Sequence, residues 1–213
     1  SRKDMKKEII KIFQDIIKEE ELELPNEELI EGIVIACAQD SGFQEILLDV
    51  LGAKEIKIER KILVLSSLGF LDSFPDPLQA AILFGLNHFE TDVRVESLNL
   101  AQRFDIKENV LAAIKLIAQN PDKSQVERAS AAQALVKHQG RLSNESFIFL
   151  VGLLENKQTQ IIMGRQAAKA LGSLPLHLLS GRQSDALLKI ISDASSYYLP
   201  DLIKPFTQGR KLK

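Results

Sequence analysis

Tryptophan is absent from this chain, tyrosine and methionine occur twice each, and aromatic residues fill 6% of its 213 positions. β-Sandwiches and barrels draw on aromatic and β-branched alternation, so this poverty points to helix packing, which leucine, isoleucine and alanine serve well. Cys37 is the single cysteine, which excludes an internal disulfide framework and a thiolate-rich structural zinc site. Set in the run GIVIACA, it reads as a small buried hydrophobe, not a reactive thiol. No apolar run reaches the roughly 18 residues of a transmembrane candidate. The opening SRKDMKKEIIKIF has no long apolar stretch of the signal-peptide kind. It begins at Ser1, as expected of a piece excised from a longer protein, and the expected location is cytoplasmic.

Charge of one sign is also missing. The net value is -2 with a pI near 6.0, which argues against a dedicated nucleic-acid binder. The balance is nevertheless uneven: residues 1–60 carry a net of -6 and the remainder a net of +4. Solvated helix faces account for most of that difference, although it could steer different partners to the two ends.

What the chain does have is helical periodicity. Met5, Ile9, Ile10, Phe13, Ile16 and Ile17 recur at spacings of three and four, predicting a helix over 3–20 with one apolar stripe. Pro25 should break the chain at LELPNEE, with Asn26 capping a second helix that runs to about Gln39. A third covers 43–52, closed by Gly52. Asp76 is expected as the cap, and Pro77 as the first residue, of an apolar helix over 77–88. Thr91 or Asp92 should cap the following helix, which ends near Phe104. Helices over 107–119, 124–138, 144–155 (capped by Ser143), 159–172 and 183–194 complete the regular part. A last helix around Tyr197–Phe206 is interrupted by Pro200 and Pro205, and GRKLK is expected to fray.

Within this helical series Arg60, Arg94, Arg128 and Arg165 recur at intervals of 34, 34 and 37 residues. They open the segments RKILVLSSL, RVESLNLAQ, RASAAQALV and RQAAKALGS. Recurrence at this period in an all-α chain predicts a stacked array, a right-handed α-solenoid of about five to six antiparallel helix pairs. The expected organisation is one domain over 1–213: an N-terminal helix pair over 1–42 without the motif, repeats over 43–194, and a C-terminal cap and tail over 195–213.

The stretch ETDVRVESLNLAQRF, following an apolar helix, resembles the second half of a HEAT repeat: acidic turn, Val-Arg, then alanines and leucines. PDKSQVERASAAQALV and KQTQIIMGRQAAKALGSL resemble further copies, so the likeness spans about 43–194. It departs where Glu59 precedes Arg60 and Gly164 precedes Arg165; armadillo-type repeats are the near relative. The resemblance implies that the repeat arginines bond to acidic turns along the stack, Arg94 with Asp92 or a neighbouring turn and Arg128 with Asp122. It also implies that the second helix of each pair lines a concave, partner-binding face. On those helices Glu96, Asn99, Arg103, Gln133, Lys137 and Lys169 should point outward. Arg103 and Lys137 share an offset of nine from their arginines and could form a basic strip for an acidic peptide.

Nothing in the sequence recommends an enzyme. No phosphate-cradling glycine loop and no GxSxG elbow occur. His88, His138 and His177 lie 50 and 39 residues apart, without ligand spacing, so neither a metal nor another cofactor is expected. A helix-end position favoured by the dipole accounts for His88 and His138. DNA glycosylases with HEAT-like folds would want aromatic platforms and many phosphate-contacting cations, which this chain lacks. The expected role is therefore a non-catalytic interaction module for a protein partner, with no membrane association. A nucleic-acid-binding solenoid and a regulatory segment of a larger enzyme are the alternatives. Self-association through solenoid ends is a further expectation.

Overall fold

A computed structural model describes residues 2–19, 24–156 and 158–208. Among the described residues every regular element is helical. The chain divides into two compact units, 1–110 and 111–213, and the boundary falls inside a helix. The GRKLK tail lies outside the described residues.

Unit 1 contains α1 (Arg2–Ile16), α2 (Leu24–Cys37), α3 (Ser41–Gly52), α4 (Ile58–Leu68), α5 (Gln79–Leu86) and α6 (Thr91–Ala101). Two layers arise from its contacts: α2 packs on α4 and α4 on α6, while α3 packs on α4 and α5, and α5 closes on α6. The stripe expected on the first helix holds at one end only. Phe13, Ile16 and Ile17 are buried, with Phe13 set edge-on to Phe43 at 5.0 Å, whereas Met5 is mostly exposed. Asp40 caps α3 by accepting from the Phe43 amide at 3.0 Å, and Lys6 pairs with the same carboxylate. Lys6 and the amide hold Asp40 below the usual carboxylate range.

Three local expectations need correction. α2 begins at Leu24, so Pro25 sits in its first turn and Asn26 lies inside the helix, its amide reaching Glu19. Asp76 is not a cap: a 3₁₀ turn over Asp76–Leu78 precedes α5, and the freed carboxylate meets Lys107 at 3.0 Å. Thr91 is the first residue of α6 and not its cap; its hydroxyl accepts from Arg94 instead.

One contact explains how α5 and α6 approach. A Cβ on Gly85 would fall inside the Ser97 side chain, and Ser97 is fully buried with its hydroxyl donating to the Val93 carbonyl at 3.0 Å. Glycine is required there because only a bare backbone lets the two axes close to that distance.

α7 (Glu108–Gln119) straddles the boundary and buries Val110, Ile114, Ile117 and Ala118. Unit 2 continues with α8 (Gln125–Gln139), α9 (Asn144–Glu155), α10 (Ile161–Gly172), α11 (Gly181–Asp193), α12 (Leu199–Leu202) and α13 (Lys204–Gln208). Its contacts follow a similar rule: α8 packs on α10 and α10 on α12, while α9 packs on α11. The core joins alanines of α8 and α10 (Ala129, Ala132, Ala167 and Ala168) to Phe147, Leu150 and Leu187. Small residues on one layer let the other layer's large ones seat without voids.

Helix starts in unit 2 are strongly encoded. Ser124 and Glu127 form a reciprocal capping box, as do Ser180 and Gln183, and Ser143 accepts from the Ser146 amide at 3.1 Å. Gly140, at φ 64°, is the left-handed residue that ends α8. Gly172 lies so close to α12 that a Cβ would strike the Asp201 carbonyl.

Candidate functional site

The four repeat arginines occupy four different surroundings. Arg94 is buried and donates through Nη1 to the carbonyls of His88 and Phe89, each at 2.6 Å, and through Nη2 to the Thr91 hydroxyl at 2.9 Å. The guanidinium fork thus ties down the turn that leads into its own helix. Arg60 is also buried; its Nη2 donates to the Glu19 carbonyl at 3.3 Å, while its Nε finds no partner among the described residues. Arg128 lies over the Phe149 ring, 3.8 Å from the centroid, with Nε again unpartnered, and burial pushes its pKa down. The group it meets is thus an aromatic face on α9, in place of the Asp122 carboxylate. Arg165 is largely exposed and stands 3.9 Å from Asp201, which Lys204 also engages at 2.6 Å.

Of the six residues expected on the binding face, Glu96, Asn99 and Arg103 belong to unit 1. The Asn99 amide donates to Glu96 at 3.1 Å, so these two half-buried groups serve each other. Arg103 is exposed just beyond α6; its Nη1 donates to the Gly69 carbonyl at 2.8 Å and its guanidinium lies 5.5 Å from the centre of Phe70. One hydrogen-bonding edge is therefore used in closing the α4 turn, and the rest of the cation stands above an exposed ring. Gln133, Lys137 and Lys169 belong to unit 2. Lys137 is exposed in the last turn of α8, where a cation complements the helix dipole, while Gln133 and Lys169 are half-buried.

A cleft of about 290 Å³ at the same end of α8 is not foreseen from spacing or composition. Lys115, Arg141, Gln119, Gln139 and Ser143 supply its polar lining, together with Leu135 and Leu142, and no carboxylate among the described residues takes part. Its position agrees with the charge of the unit that holds it. Residues 111–213 carry 14 Lys/Arg against 7 Asp/Glu, a net of +7, whereas residues 1–110 carry 13 against 22, a net of -9. The imbalance noticed at residue 60 is thus sharper when the chain is divided where the fold divides it.

His88 does not occupy a dipole-favoured helix end. It lies in the turn after α5, its Nδ1 accepting from the Glu90 amide at 3.1 Å and its Nε2 3.5 Å from the Lys61 ammonium. Burial and the neighbouring Lys61 hold the imidazole below its ordinary range, and burial likewise lowers Lys61. Burial raises the Cys37 thiol, the direction that disfavours a nucleophilic thiolate. Among the described residues no three His, Cys, Asp or Glu side chains converge as a metal site, and no helix is long and apolar enough to cross a membrane. No protein-family model matches the chain, and neither a curated protein nor a solved structure matches it.

Proposed function

We propose that the chain is a non-catalytic protein-interaction module made of HEAT-like helix pairs, which receives an acidic segment of its partner on the second helices. The observation that carries this reading is the cleft at the end of α8, lined by Lys115 and Arg141 with no carboxylate among the described residues, on a unit of net charge +7. Exposed Lys137 precedes that cleft by two residues on the same helix. Cations left without acidic neighbours attract an acidic partner and set its orientation, with an effect chiefly on association rate. Within each unit the layered helices supply a stiff base, and the HEAT resemblance makes the second helix of each pair, in unit 2 α8 and α10, the binding helix. The alternation of layers within each unit favours a solenoid arrangement.

The test is capture from the native source with the full chain as bait, comparing wild type with the Lys115→Glu, Lys137→Glu and Arg141→Glu triple variant. Loss of the captured protein, with an unchanged helical spectrum, is the expected result; equal retention overturns the proposal. The same +7 charge favours one second reading, a nucleic-acid-binding module. Retention of RNA or DNA that falls steeply with salt would support it, and no retention at low salt would remove it.

A further inference from the structure

A second cleft in unit 2, of about 800 Å³, opens among α9, α10, α11 and the segment leading into α12. This volume lies within the range of pockets that take small organic ligands, about 300–1,000 Å³. Leu153, Ile190 and Leu202 form its floor; all three belong to the buried core of the unit, so the floor is fixed by packing that exists without a ligand. The opposite wall carries Tyr197, mostly exposed, and Tyr198, whose hydroxyl end lies against Gly164 so closely that a Cβ there would displace it.

Charge at this cleft departs from that of the unit. Among the described residues its lining holds two carboxylates, Glu155 and Asp193, against one ammonium, Lys189. Lys189 is committed to Glu155 at 3.5 Å. Among the described residues Asp193 has a hydroxyl contact from Ser192 at 3.4 Å and no cation. Distant cations of the unit act weakly here, because at physiological salt exposed charges are screened beyond about 8 Å. An apolar floor, aromatic rings on one wall and an unmatched carboxylate at the rim together suit a particular ligand chemistry. The body must be apolar, and the head must be positive, to pair with Asp193 and lie against a tyrosine face.

We infer that this cleft is a binding site for amphipathic organic cations, small molecules with an apolar body and one ammonium group. It does not depend on the acidic-partner face, whose residues are not in its lining.

The chain is well suited to the test, since its two tyrosines both line the cleft and no tryptophan competes with their emission. The full chain is titrated with cyclohexylmethylammonium, cyclohexylmethanol and cyclohexanecarboxylate, following tyrosine fluorescence and heat. The ammonium should bind tightest, at least about fivefold tighter than the alcohol, with the carboxylate weakest. Asp193→Asn should remove that preference while leaving the alcohol's affinity unchanged. Ala194→Phe, which fills the cleft from its rim, should abolish binding of all three while the helical spectrum is preserved. Equal affinity for ammonium and alcohol, an Asp193→Asn variant that keeps the preference, or no binding of any of the three tighter than about 10 mM overturns the inference.

Discussion

The two units use one sequence signal in different ways. In unit 1 the repeat arginines are buried and act on backbone: Arg94 holds three acceptors of its own turn, and Arg60 reaches the carbonyl of Glu19. In unit 2 they have left the backbone, Arg128 for the face of Phe149 and Arg165 for a solvent-exposed approach to Asp201. The surrounding charge differs in the same division, net -9 against net +7. The period in sequence therefore marks the first turns of α4, α6, α8 and α10, and neighbouring residues decide what the arginine does there. An arginine that satisfies buried carbonyls belongs to the frame. One that faces solvent in a basic unit adds to that unit's positive field.

That contrast can be broken at its points of closest approach, where the largest effects are expected. Gly172→Ala would drive a methyl group into the Asp201 carbonyl, a backbone atom that cannot swing aside. A loss of about 3 kcal/mol in urea unfolding is expected. Gly85→Ala meets a side chain instead, Ser97, and should lose about 2 kcal/mol. Combining it with Ser97→Gly should recover part of that loss, less the helix penalty of a new glycine; no recovery would show that the α5–α6 contact is not set by this pair.

Next in size is Arg94→Ala, which leaves the carbonyls of His88 and Phe89 without the guanidinium and should cost about 2 kcal/mol. Arg128 offers the opposite lesson. Its Nε is buried without a partner, so Arg128→Leu, which keeps a side chain over Phe149, should fall within about 0.5 kcal/mol of wild type.

The smallest effect is one of pH. His88 is held below its ordinary value by burial and Lys61, with Arg94 adding to the shift and Glu90 opposing it. A lowered folded value means that the unfolded chain takes up the proton first. The stability tied to neutral His88 is thus fully present above about pH 6.5 and is lost as pH falls from there through the folded value. His88→Asn should flatten the slope of unfolding free energy between pH 7 and 5; an unchanged slope places the titration elsewhere.

Much of the frame was legible because its signals are local. Ser143 stands beside the apolar run it starts, and helical class follows from spacing and composition. Errors arose where a local signal had two outcomes. Asp76 before Pro77 can cap a helix or enter a 3₁₀ turn, and the reach of Lys107 to its carboxylate is invisible in sequence. The face residues were less legible than the frame. Arg103 is partly occupied by Gly69, 34 positions away, and both clefts join residues from separate helices. Only the fold brings Glu155 and Lys189 together.

The most direct test of the distinction between frame and field is a urea series on Arg60→Ala, Arg94→Ala, Arg128→Ala and Arg165→Ala, each read from the transition of the unit that carries it. Arg94→Ala should lower stability most, by about 2 kcal/mol, Arg60→Ala and Arg128→Ala less, and exposed Arg165→Ala by no more than about 0.5 kcal/mol. Four equal losses would contradict the account, because they would mean that the period itself, and not each arginine's surroundings, carries the stability.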